Sequence, residues 1–249
     1  MANMNYIICS GWWCDGSGTH GGRPLGSPET RKVKFFKFWL KQIHKYSNPV
    51  KIFITDSASP ITPNQKNDFL EYRENDKFNC VLMPIEWVSL IKNFGHAADM
   101  DINDKLCGFT RSILLGIFYC LMNNIQYFVY IEQDCIIHGE NIIETAIKNM
   151  KGYDYSHGIQ YQRMHKCETS FIILRQKIFM PFIQHMLSYE ESDKEYIPER
   201  KFKDLKKKFK YIALPFGYGR DRPINFENEH FYFQHATDEE LKNIGYEMG

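Results

Sequence analysis

The sequence has almost no excess of either charge sign: 31 Lys and Arg stand against 30 Asp and Glu, a formal net charge of +1 over 249 residues. That removes the global basic field on which a general nucleic-acid binder relies, and no nucleic-acid partner is expected. Long apolar runs are missing too. None approaches the roughly 20 residues of a membrane span, and MANMNYIICSGWW has no basic segment ahead of an apolar one, so neither a transmembrane helix nor a secretion signal is expected. The seven cysteines, Cys9, Cys14, Cys80, Cys107, Cys120, Cys135 and Cys167, are odd in number and never form CxxC. Several sit inside apolar runs, as small buried hydrophobes in a reducing compartment do. No Asn-x-Ser/Thr sequon is present, which agrees with a cytoplasmic location. HExxH, a P-loop and a nucleophile elbow are absent, and nine histidines without tight Cys/His spacing give no structural zinc site.

What is there is a globular composition, 43% hydrophobic and 24% charged, with a core to bury. Aromatics reach 15%, mainly 19 Phe and 15 Tyr, a proportion common where bases and sugar rings are held. Short β-branched or aromatic runs alternate with helical stretches, which predicts an α/β fold with a mostly parallel central sheet flanked by helices. Strands are predicted at 5–10, 50–56, 79–84, 127–131 and 169–174, the last being TSFIIL. Helices are predicted from Ser27 as N-cap to Tyr46, from Asp104 as cap to Asn124, and over 141–150, 177–188 and 198–210. A terminal helix opens on Thr237 with Glu240 three residues later, a capping box. No repeat or linker interrupts the chain, so one domain is expected.

The most informative feature is an acidic pair at the end of the most apolar strand, YFVYIEQDC. In an open α/β sheet ligands bind beyond the carboxyl ends of the strands, which is where Glu132 and Asp134 fall. Alternation puts both on one side of an extended backbone. Two carboxylates so placed can hold a hard divalent cation that neutralises a diphosphate. Alternatively, Asp134 starts the following turn.

The stretch YFVYIEQDCII after a long helix resembles the strand and DxD motif of GT-A-fold glycosyltransferases, which carry a metal ion and a nucleotide-sugar diphosphate there. The likeness extends loosely over most of the chain and implies a single GT-A-like, Rossmann-like domain. Its nucleotide-binding part would cover about 1–135 and its acceptor side about 136–249. By resemblance Asp134 is the principal metal ligand, Glu132 takes the first acidic position, and His235 in HFYFQHATDEEL is the C-terminal ligand to Mn²⁺ or Mg²⁺. Glu replaces Asp at that first position, which leaves Glu132 the alternative of acting through water or on the ribose. The donor implied is a UDP- or GDP-linked sugar and the acceptor a glycan or glycoconjugate hydroxyl. If the anomeric centre is inverted, that hydroxyl needs a general base. Glu168, before TSFIIL, is the first candidate by resemblance, with Glu227, Glu229 and Asp221 as rivals.

On the nucleotide side the candidates are Ser10 and Trp12 at the first strand, Asp56 at the end of the second, and Lys105 and Arg111 ahead of the motif strand. Trp12 and Trp13 offer aromatic faces for a base or sugar, or belong to the core. Asp56 either accepts from a base or ribose or starts the turn DSASP. Arg111 is preferred over Lys105 because its fork matches a diphosphate. The loop GYGRDRP, with two arginines and flexible glycines, is a candidate lid over phosphates or a plain surface loop. The G-x-G-x-x-G match at 16–21 does not open its helix directly, which argues against a dinucleotide site. The EF-hand-like start at Asp99 lacks the sixth-position Gly. The run KFKDLKKKFK reads as a solvated helix face, with peripheral membrane contact as the functional alternative. Two other functions remain alongside the transferase: a sugar nucleotidyltransferase, and a non-catalytic nucleotide-sugar or glycan-binding protein.

Overall fold

The computed structural model describes residues 4–17, 26–63, 85–158 and 167–248. Its centre is a seven-stranded sheet in the order β3-β2-β1-β4-β7-β6-β8. The strands are β1 Tyr6–Trp12, β2 Lys51–Asp56, β3 Ile85–Ser89, β4 Tyr127–Ile131, β6 Tyr155–Gly158, β7 Glu168–Arg175 and β8 Tyr211–Ala213. The first four are mutually parallel, β7 runs antiparallel to β4 and β6, and β6 and β8 are parallel. A separate antiparallel ribbon pairs β5, Cys135–His138, with β9, Phe231–Gln234.

β1 and β4 lie at the middle and are covered on both faces, which is why their sequences are apolar at nearly every position. Tyr6, Ile8, Trp12, Val129 and Ile131 face one core, shared with helix α1, Val33–Tyr46. Ile7, Cys9, Phe128 and Tyr130 face the other, against helix α2, Gly108–Met122. Helix α2 approaches the sheet closely through Gly116, where a Cβ would stand 2.6 Å from the Phe128 ring and 2.7 Å from Cys9 Sγ. Shorter helices complete the layers: α3 Ile142–Asn149, α4 Phe179–Leu187, α5 Pro198–Leu205 and α6 Asp238–Asn243. Among the described residues no helix is long and apolar enough to cross a membrane.

Several expectations hold and others are corrected. The capping box of α6 is formed, with Thr237 and Glu240 bonding reciprocally. Ser27 is an N-cap, but of a 3₁₀ turn over Pro28–Arg31; Lys32 is extended and α1 begins after it. Asp104 caps nothing. It pairs with Lys92 at 2.8 Å, and α2 starts at Gly108, where the Cys107 N–H donates to Asp193 Oδ2 at 2.8 Å. The strand expected at 79–84 and the Gly-rich match from residue 18 onward lie outside the described residues. β3 lies at Ile85–Ser89, and β5, β6, β8 and β9 add to the strands expected.

Candidate active site

Chain order gives the site its place. From β1 the chain moves outward to β2 and β3, then returns to lay β4 on the other side of β1. The carboxyl ends of β1 and β4 therefore flank a topological switch point, where open α/β sheets bind ligands. Trp13 follows β1 and Gln133 follows β4, and they clamp each other across it: the Trp13 N–H donates to Gln133 Oε1 at 2.7 Å, and Gln133 Nε2 donates to the Trp13 carbonyl at 3.0 Å. Gln133 thus fixes the backbone between the two acids of Glu132-Gln133-Asp134.

The ribbon supplies the opposite wall. Its register pairs Cys135 with Gln234, so the next step in each strand sets Asp134 against His235. His235 has a left-handed backbone, φ +55°, and its Nε2 stands 3.6 Å from Asp134 Oδ2. The buried Gln234 side chain donates from Nε2 to Glu132 Oε2 at 2.9 Å and accepts from Arg220 Nε at 3.2 Å. Arg31, at the end of the 3₁₀ turn, donates from Nη2 to the same Asp134 Oδ2 at 2.7 Å. Glu168 opens β7, antiparallel to β4, so it lies at the same sheet edge. Its buried carboxylate accepts the Ser170 N–H at 3.0 Å.

Charge binds these residues into one cluster. Burial, then the Asp134 charge, pushes the Glu132 carboxyl up to about 8, while Arg220 opposes and Glu168 reinforces the shift. Burial also raises Glu168 above the usual carboxylate range, with Arg220 acting the other way. On the loop after β3, the His96 imidazole is lowered by burial and by the Arg220 and Arg31 charges. Two guanidiniums and a set of buried carboxyl groups around one crevice can hold a polyanion and accept a proton.

The other sequence candidates are placed elsewhere. Arg111 donates to the Leu106 carbonyl at 2.9 Å and lies 3.6 Å over the Phe94 ring, near Asp104, so no contact brings it to the acidic pair. Lys105 is exposed on the loop before α2. Ser10 is buried within β1, its hydroxyl donating to the Gly11 carbonyl. Trp12 belongs to the core, with its ring 4.9 Å from Phe36. Asp56 is buried and accepts from the Ser59 amide and from the Ser59 and Ser89 hydroxyls, the turn-forming role.

Glu229 is excluded from the acidic pair by register: β9 carries it to the His138 end of the ribbon, away from Asp134. There it lines an open cleft of about 570 Å³ with Phe216, Tyr218 and His230. Glu227 is exposed in the same loop. Asp221 precedes Arg222, whose guanidinium is engaged by Glu240 and the Gln234 carbonyl. The loop GYGRDRP is thereby fastened to β9, with the Gln234 N–H also donating to the Gly219 carbonyl at 2.9 Å. Arg31, Gln133, Gln234 and Arg220 complete the site, and no sequence spacing marks the first three.

The metal implied by the resemblance does not fit this arrangement. Among the described residues no three His, Cys, Asp or Glu side chains are grouped to hold an ion. Arg31 already donates to Asp134 Oδ2 at 2.7 Å, so a cation bound through that oxygen would compete with the guanidinium for it.

No protein-family model matches the sequence, and no curated protein matches it either. Solved structures do match. A mannosyltransferase from Pyrobaculum calidifontis, in complex with GDP-Man and Mn²⁺, superposes with a TM-score of 0.55 over 98% of this chain, at 8% identity. TarS from S. aureus superposes with a TM-score of 0.50 over 94% of the chain, at 10% identity. The chain has the GT-A fold. It spans 59% of the length of the first and 37% of the second. In this GT-A frame the segment Glu132–Asp134 follows the strand beside β1, at the switch point.

Proposed function

We propose that the protein is a nucleotide-sugar-dependent glycosyltransferase that moves a sugar from a nucleoside-diphosphate donor to an acceptor hydroxyl on a glycan or glycoconjugate. The observation that carries this is the acidic segment Glu132–Asp134 at the switch point of a GT-A sheet, walled by His235 and two arginines and faced by the buried carboxylate of Glu168. The mannosyltransferase that shares the fold was solved with GDP-Man, which supports a donor of that class. In the reaction the anomeric carbon–oxygen bond to the diphosphate breaks, and its electron pair stays on the diphosphate. The acceptor oxygen supplies the pair for the new bond, and its proton passes to Glu168. A carboxyl raised by burial is a stronger base once ionised, which suits that transfer.

Thermal shift with UDP, GDP, CMP, ADP and NAD tests the donor class. A ligand at about 100 times its dissociation constant adds about 2.7 kcal/mol, which is a rise of several degrees for a chain of this size. A shift with one nucleoside diphosphate is expected, followed by release of that diphosphate from the matching nucleotide sugar when acceptor is supplied. A shift with NAD alone would overturn the reading.

A further inference from the structure

We infer that this site binds its diphosphate through Arg31, supported by Arg220, in place of a divalent cation, an inference that rests on the donor reading above. The Asp134 side chain is 1% exposed, and one of its oxygens receives Arg31 Nη2 at 2.7 Å and faces His235 Nε2 at 3.6 Å. A cation bound through that oxygen would have to expel the guanidinium first.

Arg31 is not a loose side chain that an ion would readily displace. It ends a 3₁₀ turn capped by Ser27, whose Oγ accepts the Glu29 N–H at 3.2 Å. The turn is tied to the segment that carries His235, because the Ser27 N–H donates to the Ala236 carbonyl at 2.6 Å. Glu29 is held from the far side by the Tyr246 hydroxyl at 3.0 Å. Arg31, Asp134 and His235 are therefore set by one framework.

The remaining donors suit a diphosphate. A guanidinium presents five N–H donors in a planar fork that matches phosphate oxygens, and the Asp134 bond uses a single nitrogen of it. Arg220 is oriented by Gln234, which also holds Glu132, so a second guanidinium borders the same acidic segment. Asp134 then acts as a positioning residue for Arg31. Negative charge growing on the departing diphosphate is met by fixed guanidiniums, with no ion to be recruited.

The test is isothermal titration of UDP and GDP into the protein in EDTA and in Mn²⁺, for the wild type, Arg31→Gln, Arg31→Lys and Asp134→Asn, each checked for folding by circular dichroism. One nucleoside diphosphate is expected to bind the wild type within about twofold of the same affinity in both media. Arg31→Gln should weaken it about tenfold or more. Asp134→Asn, which keeps an acceptor for Arg31, should weaken it less. Arg31→Lys keeps the buried charge balanced and should fall between the wild type and Arg31→Gln, so a fold defect in the glutamine variant does not decide the outcome. Binding that appears only with Mn²⁺, and is lost in Asp134→Asn more than in Arg31→Gln, would overturn the inference and leave the donor reading standing. Absence of binding by either nucleotide in both media would overturn the donor reading itself.

Discussion

His157 is fully buried on β6, with Nδ1 against the Gly158 carbonyl and Nε2 meeting no hydrogen-bond partner among the described residues. Burial pushes its imidazole down to about 4, and the Lys206 charge adds to the shift. In the unfolded chain the same ring titrates near about 6.5. Between those values the unfolded state binds the extra proton, so stability falls as pH falls through that window, by on the order of 3 kcal/mol in total. Denaturant unfolding of His157→Phe from about pH 7 to 4 should show this loss removed. A slope equal to wild type would place the acid limb on other groups. Burial disfavours the charged form of Glu168 as well, which for a carboxyl moves the titration up, so its carboxylate is complete only above the usual range for glutamate. If it takes the acceptor proton, kcat/KM rises with pH through that raised value, and Glu168→Gln loses the limb. The same variant should lower turnover by about a hundredfold or more while donor affinity stays unchanged.

At the scale of elements, the site depends on one ribbon and one turn. A slip of one residue between β5 and β9 would turn every side chain to the other face and separate Asp134 from His235. Gly26 keeps the turn against that ribbon. Its φ is +76°, and a Cβ there would stand 2.5 Å from the His235 carbonyl carbon. Gly26→Ala should therefore cost more than about 1 kcal/mol by strain and contact, and nucleotide affinity should fall with it, since Arg31 and His235 are displaced together. Retained affinity at lowered Tm would show that the two are positioned independently.

The start of α2 has a similar long-range support. Asp193 holds the Cys107 N–H and pairs with the wholly buried Lys201 at 2.8 Å. Asp193→Ala should cost about 3 to 5 kcal/mol, because it strands a buried ammonium. It also shows why the helix start expected at Asp104 moved to Gly108: the acceptor lies 86 residues away, beyond any local capping pattern. β1, β2, β4 and β7 were legible because their apolar runs are long. β6 was not, since YSHG is a buried strand written in polar and small residues.

Across the whole molecule, Glu132 and Asp134 could be read from sequence because a strand end places them, whereas Glu168 comes only through the family resemblance. His235 likewise comes only through the resemblance carried by HFYFQHATDEEL. Arg31 could be read in neither way, because its partner is 103 residues away and its own neighbours, RKVK, look like the start of a solvated helix. The sheet crosses the division between the expected nucleotide part and acceptor part. β4 and β7 join them through five registered pairs, from Tyr127 with Arg175 to Ile131 with Phe171. Each core also draws on both parts: Trp39 and Val129 pack with Phe171 and Phe233, and Ile113 and Phe128 pack with Phe182 and Phe202. Such halves cannot unfold separately without exposing a sheet edge and both apolar faces. Calorimetry should therefore give one transition, with a van't Hoff enthalpy equal to the calorimetric one. A fragment ending at 135 should lack a cooperative transition, because β4 would lose β7 and the ribbon of β5 and β9 would be gone. Two resolved transitions in the whole chain would instead mean that the nucleotide and acceptor parts are separate folding units.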